Sequence, residues 1–398
     1  MNKKLSIHPE DIASGAISII NHTNHLDQFY PEFIDDSTIE CIYSGAVSGP
    51  NNITLCNIPN DVLRDFILKI MTPETKLFFD DMHEGIFFIE LVHKIHNAIK
   101  DANINPGQIY YISCTINGEE LYKKYCDAYR ISNPINIYCC NVWERHLSLG
   151  RIKDRYNIIK KKEKLFVCFN RMFKIHRYGL LALLLEKDLV KNSYYSFFFN
   201  DYADTIIKFE DSYSHSLAAF SKNIADRMCH AMKINKDKFP MKINIENRNN
   251  KNYMDEKDIE LFDNSYFSLV TETGFIPYTK ETLVKDNTIF FSEKIYKPIL
   301  VRHPFILVSA AHSLKYLRKI GYRTFSPFIN EQYDDIENHE ERLLAIVDEV
   351  ERLSKFTDAQ WIEWQHNVEE IVDHNHMIIR TRKINEYTVS RSNNRTQS

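Results

Sequence analysis

The stretch Leu165-Phe166-Val167-Cys168-Phe169-Asn170-Arg171-Met172-Phe173-Lys174-Ile175-His176-Arg177 changes character at its middle. Residues 165–169 are an apolar run of strand length, whereas 175–187 are long enough for a helix, and 194–199 are strand-like again. A strand, a helix and a second strand in quick succession predict a parallel pair joined by a crossover helix. Asn170 and Arg171 follow the first strand directly, and Arg177 opens the helix. Open α/β sheets bind their ligands at the carboxyl ends of strands, so these residues are candidates for contact with a ligand. Two guanidiniums at that point suit a diphosphate, which they can hold by forked hydrogen bonds. Anchoring of the helix by His176 and Arg177 is the competing reading.

The same alternation extends in both directions. Upstream, 38–44, 76–80, 108–113 and 135–140 read as strands, with helical periodicity over 86–100 and 118–129. Downstream, strands are expected at 265–271 and 305–309. Helices are expected at 214–232, 293–301, 314–319, 338–353 and 359–374. The basic segment 153–164, with Lys160-Lys161-Lys162 and Lys164, reads either as an inter-domain linker or as a solvated helix end. Two α/β halves imply two Rossmann-like domains with a ligand crevice between them. The expected divisions are 1–160, 161–355 and a final helix at 356–380. A tail at 381–398, rich in Arg, Asn, Ser and Thr, reads as disordered.

Composition narrows the function. The 50 basic and 54 acidic side chains leave a net charge of −4, so no domain-wide basic field for nucleic acid is present. With 10 glycines the chain shows neither G-x-G-x-x-G nor a P-loop, and phosphate binding would have to use helix starts, Arg and Lys. The eight cysteines lack C-x-x-C spacing and read as buried free thiols, which fits a reducing compartment. Met1-Asn2-Lys3-Lys4 opens no apolar signal region, and the run 180–185 is far too short to span a membrane. A cytoplasmic protein without a membrane partner is expected.

The second informative stretch is Phe290-Phe291-Ser292-Glu293-Lys294-Ile295-Tyr296-Lys297-Pro298-Ile299. Ser292 has the N-cap chemistry, and apolar residues recur at i,i+4 behind it. A helix start attracts anions; Lys294 adds a point charge for a phosphate and Glu293 an acceptor for a ribose diol. An ordinary surface helix start with a mixed charge pair has the same spacing.

These pieces resemble the donor-binding half of fucosyltransferase-like GT-B glycosyltransferases, closest to the phage and large-virus type. The matching segments are Phe267-Ser268-Leu269-Val270-Thr271-Glu272, Phe291 to Pro298, His303-Pro304-Phe305-Ile306-Leu307-Val308, Leu314 to Arg318, Gly321 to Phe325 and Tyr333-Asp334, preceded by Phe166 to Arg177. The resemblance implies a metal-independent, inverting transfer from a nucleotide-diphosphate sugar to an unidentified acceptor, with the last helices crossing back to the first domain. It also implies donor contacts from Asn170, Arg171, Arg177, Glu272, Glu293 and Lys294. For Glu272 a helix-cap or loop hydrogen bond is the alternative. No cofactor is implied beyond the nucleotide sugar as co-substrate.

An inverting transfer needs a base on the acceptor side. Asp80-Asp81-Met82-His83-Glu84-Gly85 is the densest polar cluster of the first half and follows a predicted strand. Glu84 ranks first as base, Asp81 second and His83 third; an N-cap cluster for the next helix is the alternative. The resemblance favours Glu84 through the acid–glycine pair of the virus-type sequences. Trp143 is a weak candidate for the acceptor cleft, by stacking on a sugar or a base, and domain packing fits it equally. Asp80-Asp81 lacks the spaced D-x-D of metal-dependent transferases, and the histidine pairs form no H-E-x-x-H, so no metal is expected. The remaining alternatives are a DNA-base-modifying glycosyltransferase and a non-catalytic nucleotide-sugar-binding or structural protein.

Overall fold

A computed structural model describes residues 5–7, 38–43, 59–73, 75–81, 88–148, 159–170, 174–197, 219–238, 241, 256–277, 284, 287–382 and 388–389. The chain divides into two compact units. The first comprises residues 1–142, 277–290 and 384–398, and the second 143–276 and 291–383.

The strands of the first unit are β1 (Leu5–Ile7), β2 (Thr38–Tyr43), β3 (Thr75–Asp81), β4 (Ile109–Ser113) and β5 (Asn136–Cys140). Those of the second are β6 (Lys164–Asn170), β7 (Ser193–Phe197), β8 (Ser265–Thr271) and β9 (Phe305–Val308), after which β10 (Thr388–Val389) belongs to the first unit again. The first sheet runs β1-β2-β3-β4-β5-β10, parallel except for β10. Helices α1 (Asn60–Ile70), α2 (Phe88–Asp101) and α3 (Gly118–Tyr129) pack on it. Their apolar stripes meet Leu77, Phe79, Ile109, Tyr111, Ile137 and Cys139 in one core. These sheet residues alternate along their strands, so they share one face of the sheet. On the intervening positions Phe78 stacks on Tyr110 at 4.6 Å, and Tyr110 on Tyr138 at 6.2 Å.

The 287–290 segment joins this unit by polar pairing. Phe290 bridges to Thr115, Ile116 N–H donates to Ile289 O at 2.7 Å, and the Asn117 amide bonds both Asn287 O and Ile289 N–H at 2.9 Å. A local reading of the sequence takes this segment as the lead-in to the next helix. Its long-range hydrogen bonds assign it elsewhere.

The second unit carries α4 (Val142–Ser148), α5 (Ile175–Glu186), α6 (Lys222–Ile234), α7 (Glu256–Asp263), α8 (Glu293–Leu300), α9 (Ser313–Lys319), α10 (His339–Ser354) and α11 (Asp358–Thr381). Its sheet is all parallel in the order β7-β6-β8-β9. The chain leaves β6 in one direction to reach β7, then returns past β6 to lay down β8 and β9. Right-handed crossovers running in opposite directions put α5 and α8 on opposite faces. In keeping with this, α5 packs on α6 and α10, and α8 on α11. All seven residues of β8 are buried, the signature of a central parallel strand.

The two α/β halves of the sequence reading are thus present, with different divisions. The first unit ends at 142 rather than 160, because Glu144 on α4 is fully buried against Arg382 and Tyr322 of the second unit. Part of the expected linker is interior: Lys162 is buried, its ammonium donating to Asp263 O at 3.0 Å, and Lys164 begins β6. The final helix, expected to cross back, belongs to the second unit, where Trp361 stacks on Tyr266 at 4.0 Å and His376 bonds Leu300 O. β10, inside the tail read as disordered, belongs to the first unit. Thr388 and Val389 pair with Cys140 and Cys139.

Candidate functional site

The reversal of strand order in the second sheet lies between β6 and β8, and the polar side chains gather at their carboxyl ends. Asn170 closes β6 and is buried; its Nδ2 donates to Tyr195 OH at 3.1 Å, and its Oδ1 accepts from Thr271 Oγ1. Its N–H donates to Ser196 Oγ at 3.2 Å. Asn170 therefore clasps the ends of β6, β7 and β8 together. The sequence reading made it a donor contact, whereas its side chain spends these bonds inside the protein.

Arg177 is likewise buried, and its Nη2 donates to Thr271 O at 3.1 Å. Burial lowers its pKa, opposed by the charge of Glu272. His176 donates from Nε2 to Glu272 O at 2.9 Å and stacks on Phe275 at 5.1 Å. Burial and the neighbouring Arg177 depress its pKa well below the usual range, which keeps the ring neutral and Nε2–H a donor. The first turn of α5 thus holds the backbone that leaves β8. This is the helix-anchoring alternative of the sequence reading.

Glu272, the first residue after β8, has no solvent exposure. Its Oε1 accepts from Ser292 N–H at 3.1 Å; its Oε2 accepts from Ser292 Oγ–H at 2.6 Å and Thr273 N–H at 3.3 Å. Burial raises its pKa, and Lys294 and Ser292 partly offset that. Ser292 is extended and caps α8, its Oγ accepting from Lys294 N–H at 3.4 Å. Lys294 Nζ donates to the same Oγ at 2.9 Å and lies 3.3 Å from Glu293. Burial alone would raise the Glu293 carboxyl; Lys294 and Lys297 outweigh it and the net shift is downward. The side chains of Glu293 and Lys294 are 17% and 25% exposed, so this charged pair is the part of the cluster open to a ligand.

Sequence reasoning missed Arg342. It is almost fully buried on α10 and donates to Phe275 O at 2.6 Å, Ser309 O at 3.2 Å and Ile336 O at 2.6 Å. The guanidinium also lies 4.5 Å from the centre of the Phe275 ring. It therefore fixes the loops that follow β8 and β9. The signal was present: Arg342 sits four residues before Ile346 on an otherwise apolar stripe, where a charge needs a buried task.

In the first unit, Asp81 does not follow a strand; β3 extends through it. The carboxylate is buried and accepts from Tyr111 OH at 2.7 Å and Ser113 Oγ at 3.4 Å. Those bonds make Asp81 a structural acceptor rather than the base considered from the sequence. Trp143 is half-buried on α4. His83, Glu84 and Arg171 lie outside the described residues. Among the described residues no group of three or more His, Cys, Asp or Glu is placed to hold a metal ion. No described helix is long and apolar enough to cross a membrane. Cys114, Cys139, Cys140 and Cys168 are buried free thiols, and Cys229 is exposed.

No protein-family model, no curated protein and no solved structure matches this chain, so the family resemblance rests on the sequence motifs alone.

Proposed function

We propose that the chain is a glycosyltransferase that takes its sugar from a nucleotide-diphosphate donor, held at the carboxyl ends of β6 and β8. One observation carries the reading: the strand order reverses between these two strands, and the capped, Lys-bearing start of α8 is fastened there through Glu272 and Ser292. A crevice at such a reversal is where doubly wound sheets place their ligands. Lys294 and the free N–H groups of α8 would neutralise the leaving diphosphate, and Glu293 would accept from the ribose hydroxyls. Asn170, Arg177 and Arg342 would keep that frame rigid without touching the donor. The resemblance makes Glu84 the first choice for the base that takes the acceptor's proton.

Thermal shift with UDP, GDP, ADP, CMP and dTDP, each with and without Mg²⁺, tests the donor site. One nucleoside diphosphate should raise Tm without the metal, by up to about 2.7 kcal/mol of stabilisation at a hundredfold excess over Kd. Lys294→Ala should remove the shift, measured against the variant's own Tm, which is lower than wild type because Glu272 loses the charge that opposes its burial. No shift with any of the five counts against the donor site, and a strictly Mg²⁺-dependent shift replaces the metal-independent reading with a metal-assisted one.

A further inference from the structure

Glu272 is a carboxylate with no solvent exposure, and among the described residues no cation lies within ion-pair distance of it. The charge opposing it is Lys294, which reaches it through one hydroxyl: Lys294 Nζ donates to Ser292 Oγ at 2.9 Å, and Ser292 Oγ–H donates to Glu272 Oε2 at 2.6 Å. Among the described residues the remaining charged groups around the carboxylate are Glu293 on α8, which repels it, and Arg177 on α5, whose Nη2 is turned to the backbone carbonyl of Thr271. His176, on the same turn as Arg177, is neutral and bonds the Glu272 carbonyl. Lys294 is thus the mobile member of the group: its side chain is the most exposed, on a flexible stem with three donors. It is also the group that a diphosphate would draw away.

We infer that diphosphate binding is coupled to proton uptake: Lys294 turns from Ser292 to the phosphate oxygens, and Glu272 takes one proton from solvent as it does so. This rests on the donor reading given above. The step balances without a further reactant. The Glu272 carboxylate becomes a carboxylic acid and its new O–H donates to Ser292 Oγ. Ser292 then no longer donates to Glu272, and its own hydrogen rotates toward the place Lys294 has left. The phosphate gains the Lys294 ammonium and the Ser292 hydroxyl together, while the buried carboxyl is left neutral rather than as an unpaired charge. Burial already raises the Glu272 pKa with Lys294 opposing, so loss of that opposition moves it further in the same direction. Glu272 is therefore a positioning residue that does not touch the donor.

The sign of the linkage is fixed: a site that takes up a proton on binding holds its ligand more tightly as pH falls. Isothermal titration of UDP and of GDP into the full chain at pH 7.5, in two buffers of different ionisation enthalpy, counts the protons. Wild type should take up a larger fraction of a proton per nucleotide than Glu272→Gln, which keeps the shape of the side chain. Protonation of the phosphates themselves occurs in both proteins and cancels in the difference. Wild-type affinity alone gives a second reading independent of whether the variant folds. Between pH 7.5 and 8.5 it should weaken, by up to about tenfold per pH unit. Nucleotide binding with equal proton counts in both proteins, or with wild-type affinity flat over that range, overturns the coupling and leaves the donor site standing. Absence of binding by either nucleotide, in titration and in the thermal-shift panel alike, overturns both.

Discussion

Asp81 and Glu272 are both carboxylates at the end of a parallel strand, and their surroundings give them different work. Around Glu272 the donors are Ser292 at a helix start and Thr273 N–H, with the Lys294 ammonium one hydroxyl away on Ser292 Oγ. Around Asp81 they belong to Tyr111 and Ser113, two core side chains of the neighbouring strand. Tyr111→Phe leaves the ring in place against Phe88, 5.4 Å away, and removes only the hydroxyl. The buried carboxylate then loses the Tyr111 bond, which should lower stability by about 1–3 kcal/mol. Urea denaturation should show this as a lower midpoint at unchanged slope, with the nucleotide-induced Tm shift of the second unit preserved. An unchanged midpoint would return Asp81 to the candidates for base. From sequence alone the two acids look alike, because a strand-end position is visible locally and a hydroxyl 30 residues away is not.

At the scale of elements, what a local pattern can specify was legible. The helix Gly118–Tyr129 and the strand Ser265–Thr271 have the bounds that periodicity predicts, and the other strands named from the sequence differ from expectation by a residue or two. Length did not decide which helices were legible: the seven-residue Ser313–Lys319 is expected from the sequence, and the eleven-residue Asn60–Ile70 is not. Val142–Ser148 is not among the helices expected from the sequence, and Glu144 on it bonds Tyr322 and Arg382, 178 and 238 residues later. Gly118, at the start of α3, shows how tightly such elements are fitted. A Cβ there would overlap Cys139 Sγ on β5 and come within 2.9 Å of Phe88 Cε2 on α2. Both neighbours are buried and have little room to yield. Gly118→Ala should therefore cost about 1–3 kcal/mol, despite the better helix propensity of alanine. A thermal melt that matches or exceeds wild type would show that the β5–α3 contact is looser than this geometry.

For the whole molecule, the order of strands and the return of the chain to the first unit escape sequence reading because both depend on pairings between distant segments. The location of buried neutral histidines escapes it for the same reason, and they govern the response to acid. His96 in the first unit bonds Tyr122 OH at 3.0 Å, and burial with the nearby His93 lowers its pKa to about 4. In the second unit His303 donates from Nε2 to Ser265 O at 2.9 Å and accepts at Nδ1 from Ser268 Oγ–H at 2.8 Å; burial lowers its pKa to about 3. Both values lie below the unfolded value of 6.5. The stability each neutral ring contributes is therefore complete above pH 6.5 and lost as pH falls toward the folded value. For a depression the size of that at His96 the loss amounts to about 3 kcal/mol. The 3 tryptophans, Trp143, Trp361 and Trp364, all belong to the second unit, so their fluorescence reports the unit that holds His303. Denaturation followed by that signal should show stability falling from pH 6.5 to pH 4 in wild type. In His303→Gln the starting stability should be lower, since the bonds to Ser265 and Ser268 are imperfectly replaced, and the decline over the same range shallower. A decline equally steep in the variant would assign the acid sensitivity of this unit to other groups, His176 and its carboxylates among them.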